Sequence, residues 1–126
     1  MEKAFKIYIK SERLPFALTE VEKTMKKENR NSLLLLSKAE KSLQLFLRKL
    51  EKKIPGVIWY IGTDLIEDKI CERFMFSKGG FMEISIEKSS EITAFFPNEK
   101  QAKKFGEAVK KIVDTKEKNI YKLSTA

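Results

Sequence analysis

The chain has 126 residues, 42% of them hydrophobic and 35% charged, and carries 26 Lys and Arg against 18 Asp and Glu for a net charge of +8. That length suits one domain around one core, and no apolar run is long enough to span a bilayer. The absence of histidine and the presence of a single cysteine, Cys71, exclude a histidine general base, a His- or multi-Cys-ligated zinc site and an internal disulfide.

The opening stretch, MEKAFKIYIK, is interrupted by charges and lacks the apolar core of a signal peptide, so a cytoplasmic protein is expected. A charge inventory dominated by Lys and Glu, with few Asn and Gln, is the mix associated with heat-adapted organisms, so a thermophilic source is expected too. The excess positive charge is concentrated before residue 57 and after residue 96, whereas residues 57–96 are net acidic. A basic surplus of this size attracts polyanions.

In chain order, AFKIYIK alternates, with Phe5, Ile7 and Ile9 on one side and Lys6, Tyr8 and Lys10 on the other, the pattern of a half-buried strand. Thr19 with Glu22 three residues on has the form of a capping box, predicting a short helix over 20–28. Ser32 is placed to cap a long helix whose stripe is Leu36, Ala39, Leu43, Phe46, Leu47, Leu50 and Ile54, ended by Pro55-Gly56. Leu33, Leu34, Leu35 and Leu45 widen the apolar surface beyond that stripe. GVIWYIG, KICERFMF, FMEISIE and EITAFF read as four strands, and their short separators imply antiparallel neighbours. Asn98, with Gln101 three residues on, is the expected cap of a final helix with Ala102, Phe105, Val109, Ile112 and Val113 inward and Lys100, Lys103, Lys104, Lys110 and Lys111 outward. NIYKL is either a last short strand or an arm. The order β-α-α-β-β-β-β-α predicts a single α+β domain over 1–126: an antiparallel sheet of about five strands with helices on one face.

The hairpin RFMFSKGGFMEISIE leaves its register open. A loop of two or four residues would place Phe74, Phe76 and Phe81 on one face with Glu83 and Ser85, and leave Met75, Met82, Ile84 and Ile86 to the core. A three-residue loop at Lys78-Gly79-Gly80, with a glycine in the left-handed bulge position, would send Phe74 and Phe76 into the core instead and set Arg73 near Glu83 or Ser85 outside. In either register the adjacent pairs Trp59-Tyr60, Phe81-Met82 and Phe95-Phe96 must point to opposite faces. The sheet is therefore expected to be apolar on both sides, and an uncovered apolar face marks a contact site.

No phosphate-binding glycine loop and no nucleophile elbow occurs. Asp64, Glu67 and Asp68 read as a solvated acidic turn, and Cys71 as a packing residue. An enzyme is not expected, and neither a metal nor a cofactor. Aromatic rings combined with basic groups are what single-stranded nucleic acid requires, rings for the bases and cations for the phosphates. The candidates are Lys6, Tyr8 and Lys10 on the first strand, Arg73, Phe76, Phe81 and Phe96 on the later strands, and Lys103 and Lys104 on the last helix. The size, the Lys/Glu-rich composition and the phenylalanines Phe74, Phe76, Phe81, Phe95 and Phe96 in short strands resemble the archaeal ThermoDBP single-stranded-DNA-binding proteins. That resemblance implies a DNA cleft lined by phenylalanines and flanked by basic residues. The acidic strand region departs from it.

The expected function is therefore binding of single-stranded DNA or RNA on an aromatic sheet face. The alternative is a non-enzymatic assembly protein that buries that face and the Leu-rich helix against a partner. A homodimer is expected from the same apolar surplus, with no membrane partner.

Overall fold

The computed structural model describes residues 4–25, 32–67, 69–114 and 119–125. Its elements run β1 (Phe5–Ser11), α1 (Leu18–Lys23), α2 (Ser32–Lys53), β2 (Ile58–Ile66), β3 (Lys69–Phe76), β4 (Phe81–Ile86), β5 (Ser90–Phe96), α3 (Glu99–Val113) and β6 (Tyr121–Thr125). The strands form one sheet in the order β2-β3-β4-β5-β1-β6, with every pairing antiparallel. The architecture is α+β as expected, with six strands rather than about five. The sixth, β6, overlaps the end of the NIYKL segment and runs on past it, pairing with β1 from Phe5 opposite Thr125 to Ile9 opposite Tyr121. Among the described residues no helix is long and apolar enough to cross a membrane.

Alternation decides what each strand buries. Ile7 and Ile9 of β1, Phe74 and Phe76 of β3, Met82, Ile84 and Ile86 of β4, and Ile92, Ala94 and Phe96 of β5 all point to one face and are buried. They share one core with Val21 of α1, Ala39, Leu43, Phe46 and Leu50 of α2, and Ala102, Phe105, Ala108 and Val109 of α3. Phe76 stacks on Phe96 at 5.1 Å between ring centroids, and Phe105 sits 5.7 Å and 5.2 Å from the two. Offset and edge-on aromatic geometries of this kind add about 0.5–1.5 kcal/mol each beyond burial. Phe16, in the loop after β1, meets Phe46 of α2 edge-on at 5.2 Å.

The ends of the helices differ in how the sequence marks them. Asn98 caps α3 as its spacing predicts: its Oδ1 accepts from the Gln101 amide at 2.8 Å, and its side-chain amide donates to Gln101 Oε1 at 2.9 Å. The Gln101 side chain in turn donates through Nε2 to the Lys78 carbonyl at 3.0 Å, tying the helix start to the β3–β4 turn. Thr19 does not cap α1. That helix starts earlier, at Leu18 after an Ala17 cap with no side-chain bond, because the Leu18 and Thr19 amides are satisfied by the Glu87 and Lys88 carbonyls. The 26–28 portion of the predicted first helix lies outside the described residues, as does the Ser32 side chain. Of the leucines off the α2 stripe, Leu34 and Leu35 pack against the core, while Leu33 and Leu45 stay exposed.

The β3–β4 hairpin resolves to a three-residue loop, one position earlier than the three-residue form considered from sequence. Met75 faces Phe81 and Phe74 faces Met82, and the Phe76 amide bonds the Gly80 carbonyl at 3.0 Å across Ser77-Lys78-Gly79. Gly79 and Gly80 take φ of +105° and +106°, a region that costs residues with a Cβ. At Gly80 a Cβ would also lie 2.5 Å from the Phe95 carbonyl oxygen. The turn thus requires glycine on two counts, and it fixes which faces Phe76 and Phe81 occupy.

Candidate functional site

The three described helices pack on the core side, so among the described residues the opposite face of the sheet is open. The strand registers place its side chains in transverse rows. The first row runs Trp59, Met75, Phe81, Phe95, Lys6, Ser124 across all six strands. Phe81 and Phe95 are already stacked, with centroids 4.8 Å apart and planes 25° from parallel. Trp59, Met75 and Phe81 are 53%, 44% and 51% exposed, while Phe95 and Lys6 are half-buried, so the row is most accessible from β2 to β4. One end of the open face is therefore an aromatic strip whose neighbour on β1 is a lysine.

The second row is polar: Gly62, Arg73, Glu83, Thr93, Tyr8 and Lys122. The third is Asp64, Cys71, Ser85, Glu91 and Lys10. Ion pairs knit these rows together. Arg73 meets Asp64 at 2.7 Å and Glu83 at 3.6 Å, Lys10 meets Glu91 at 3.5 Å, and Lys69 meets Glu87 at 3.5 Å. The Tyr8 hydroxyl donates to Glu91 Oε1 at 3.0 Å. Desolvation, then that hydrogen bond and the nearby carboxylates, raises the Tyr8 pKa above its ordinary value. Lys6 has no carboxylate partner among the described residues; its Nζ lies 5.9 Å from the centroid of the Tyr8 ring, the reach of a cation–π contact.

The candidates proposed from sequence divide accordingly. Lys6, Tyr8, Lys10, Arg73 and Phe81 all stand on the open face. Phe76 and Phe96 do not: each is 5% exposed and lies on the core side, so neither is available to stack on a base. For Phe76 the reason is the three-residue hairpin loop. For Phe96 it is the alternation of β5, which puts Phe96 with Ile92 and Ala94 and leaves Phe95 outside. Lys103 and Lys104 are exposed on α3, a helix that packs on the opposite face of the sheet. They do not flank the aromatic strip, and Lys103 pairs with Glu99 at 3.1 Å. Trp59, Met75, Phe95 and Lys122 belong to the open face but are not among the binding candidates named from sequence, although Trp59 and Phe95 each stood in a pair expected to point to opposite faces. The alternation in SEITAFF was a readable signal for Phe95, whereas Met75 and Trp59 required the hairpin and bulge registers.

Two further groups bear on chemistry. Cys71 is 6% exposed, and its pKa is raised first by desolvation and next by Glu83, which keeps it a thiol and a poor nucleophile. Asp64 is engaged by Arg73, Glu67 is an exposed turn residue with φ of +49°, and Asp68 lies outside the described residues. The chain matches no protein-family model, no curated protein and no solved structure.

Proposed function

We propose that the protein binds single-stranded nucleic acid across the open sheet face, with bases stacking on Trp59, Phe81 and Phe95 and the backbone running past Lys6 and Lys122. The observation that carries this reading is the first row: Phe81 and Phe95 stacked on neighbouring strands, an exposed Trp59 in the same row beyond Met75, and a lysine on the next strand. Every base has a π-face, so such a strip binds single strands with little sequence preference, at about 1–3 kcal/mol per stacked base. Duplex DNA hides its base faces and gains nothing from it.

The ion pairs on the polar rows do not oppose phosphate binding strongly. Their side chains are a quarter to a half exposed, and exposed pairs contribute only about 0–1 kcal/mol each. Arg73 and Lys10 can exchange a carboxylate for a phosphate at small cost. The same pairs nevertheless leave the face close to neutral, which favours the second reading, burial of this face against a protein.

Fluorescence anisotropy with labelled oligo-dT, a duplex of equal length and a structured RNA, each at two salt concentrations, separates the two. The nucleic-acid reading expects oligo-dT to bind more tightly than the duplex and to weaken as salt rises, since each neutralised phosphate releases counterion. No binding of any of the three at low salt would leave only the protein-contact reading.

A further inference from the structure

Among the described residues β2 is an edge strand paired only with β3, so the outward row of its backbone N–H and C=O groups meets no described strand. Edges of this kind are normally blunted by shortness, by lysine, by proline or by a bulge, because they template pairing with another chain. The opposite edge, β6, follows that rule: it spans five residues and includes Lys122. β2 spans nine residues and includes neither Lys nor Pro.

β2 is also where the exposed apolar surface gathers. Of the ten large hydrophobic side chains that stand exposed among the described residues, Val57, Trp59, Tyr60, Ile61, Leu65 and Ile66 lie on β2 or at its entry, and Leu65 is 74% exposed. They lie on both faces of the strand. Tyr60 and Leu65 point to the helix side, opposite Phe74 and Ile70, and yet are 59% and 74% exposed. A bulge between Tyr60 and Gly62 divides the strand, leaving Gly62–Ile66 in unbroken register with Lys69–Arg73. Beside Gly62 a Cβ would meet nothing within 4 Å.

Charge selects the occupant. Two molecules of net charge +8 repel wherever their lysines face each other. The interval between Lys53 and Lys69 is the longest in the chain without a Lys or Arg, and β2 lies wholly within it. The one acidic group of the strand, Asp64, is already neutralised by Arg73 at 2.7 Å. An acidic partner would find little to attract it here and much on the helices. A second copy finds a strand that can pair with itself, antiparallel about a two-fold axis, so that each residue meets the same surface on its partner.

We infer that the protein forms a homodimer by antiparallel pairing of the Gly62–Ile66 arm of β2 with the same arm of a second copy. The two sheets become one, Leu65 of each copy stands opposite Thr63 of the other on the helix side, and the open face with its aromatic rows stays free. The inference rests on the edge strand and not on nucleic-acid binding, so either can fail without the other.

Sedimentation velocity on the full chain over a wide concentration range tests it. The expected species is twice the 14.7 kDa chain mass. Leu65→Lys, one residue from the two-fold axis at Asp64, sets like charges near each other across it and should weaken the dimer at least about tenfold. Leu45→Lys on the exposed face of α2 and Phe81→Lys on the open face should leave it intact. Hydrogen exchange of unaltered protein provides a readout independent of any variant's folding: amides of Gly62–Ile66 should gain protection as concentration rises. A monomer at every concentration, a dimer broken by Leu45→Lys or Phe81→Lys but not by Leu65→Lys, or exchange in β2 independent of concentration would each overturn the proposal.

Discussion

Replacing Phe81 by Ala separates a binding ring from a structural one. The ring is 51% exposed, so about half of the burial of a phenylalanine, on the order of 1 kcal/mol, is lost with it. It also stacks on Phe95 at 4.8 Å, and losing that contact removes about 0.5–1.5 kcal/mol more. No closed cavity forms, because the site opens to solvent. The expected cost to stability is therefore about 1.5–2.5 kcal/mol, read as a shift of the urea midpoint with an unchanged slope. The expected cost to oligo-dT affinity is about 1–3 kcal/mol, roughly 5- to 150-fold, read by anisotropy under conditions where circular dichroism shows the variant folded. Phe81→Tyr should restore binding, since it keeps the ring, and Phe81→Leu should not. A folded Phe81→Ala that binds as well as the unaltered protein, or a Phe81→Leu that restores affinity in full, would refute stacking at this position.

Phe76→Ala, which removes a core ring packed on Phe96 and Phe105, should cost about 3–5 kcal/mol in chemical denaturation while leaving the affinity of the folded fraction unchanged. Lys6→Glu combined with Lys122→Glu should weaken oligonucleotide binding and flatten its salt dependence; Lys103→Glu with Lys104→Glu, on the far side of the sheet, should do markedly less. Gly80→Ala meets both a positive φ and a 2.5 Å approach to the Phe95 carbonyl, and should lower stability by about 1–3 kcal/mol, seen as a lower Tm. The Tyr8 and Tyr121 pKa values are raised, in each case first by desolvation and then by a hydrogen bond to a carboxylate, Glu91 for Tyr8 and Glu107 for Tyr121. The folded state therefore holds these protons more tightly than the unfolded chain does. Their contribution is fully present below the unfolded tyrosine pKa and is lost as pH climbs through the higher folded values. Urea titrations should show stability falling at alkaline pH, less steeply in Tyr8→Phe.

The sequence makes the layers of this fold legible because its strands and helices are strongly periodic. Ile7 and Ile9, the α2 stripe and the Asn98 cap each follow from local chemistry. What local chemistry does not determine is parity across a turn. The hairpin at Ser77–Gly79 and the bulge at Tyr60/Gly62 each shift pairing by one residue, and a shift of one exchanges the two faces of a strand. That is why Phe81 could be placed outside and Phe76 could not be kept there. Phe96 differs: the alternation of Ile92, Ala94 and Phe96 already points it to the core without any partner strand, a signal that the expectation of Phe96 as a stacking ring passed over. The separation of the basic helices from the aromatic face is a matter of layering, and one-dimensional charge counts do not contain it.

The only tryptophan in the chain, Trp59, stands in the aromatic row opposite Met75, so its emission reports directly on that surface. Titrating the protein with unlabelled oligo-dT at low salt should quench Trp59 fluorescence in a saturable way as bases stack on the row, with the midpoint moving to higher oligonucleotide concentration as salt is added. Emission that stays unchanged at low salt while oligonucleotide is raised to high concentration would contradict the claim that this face binds single strands.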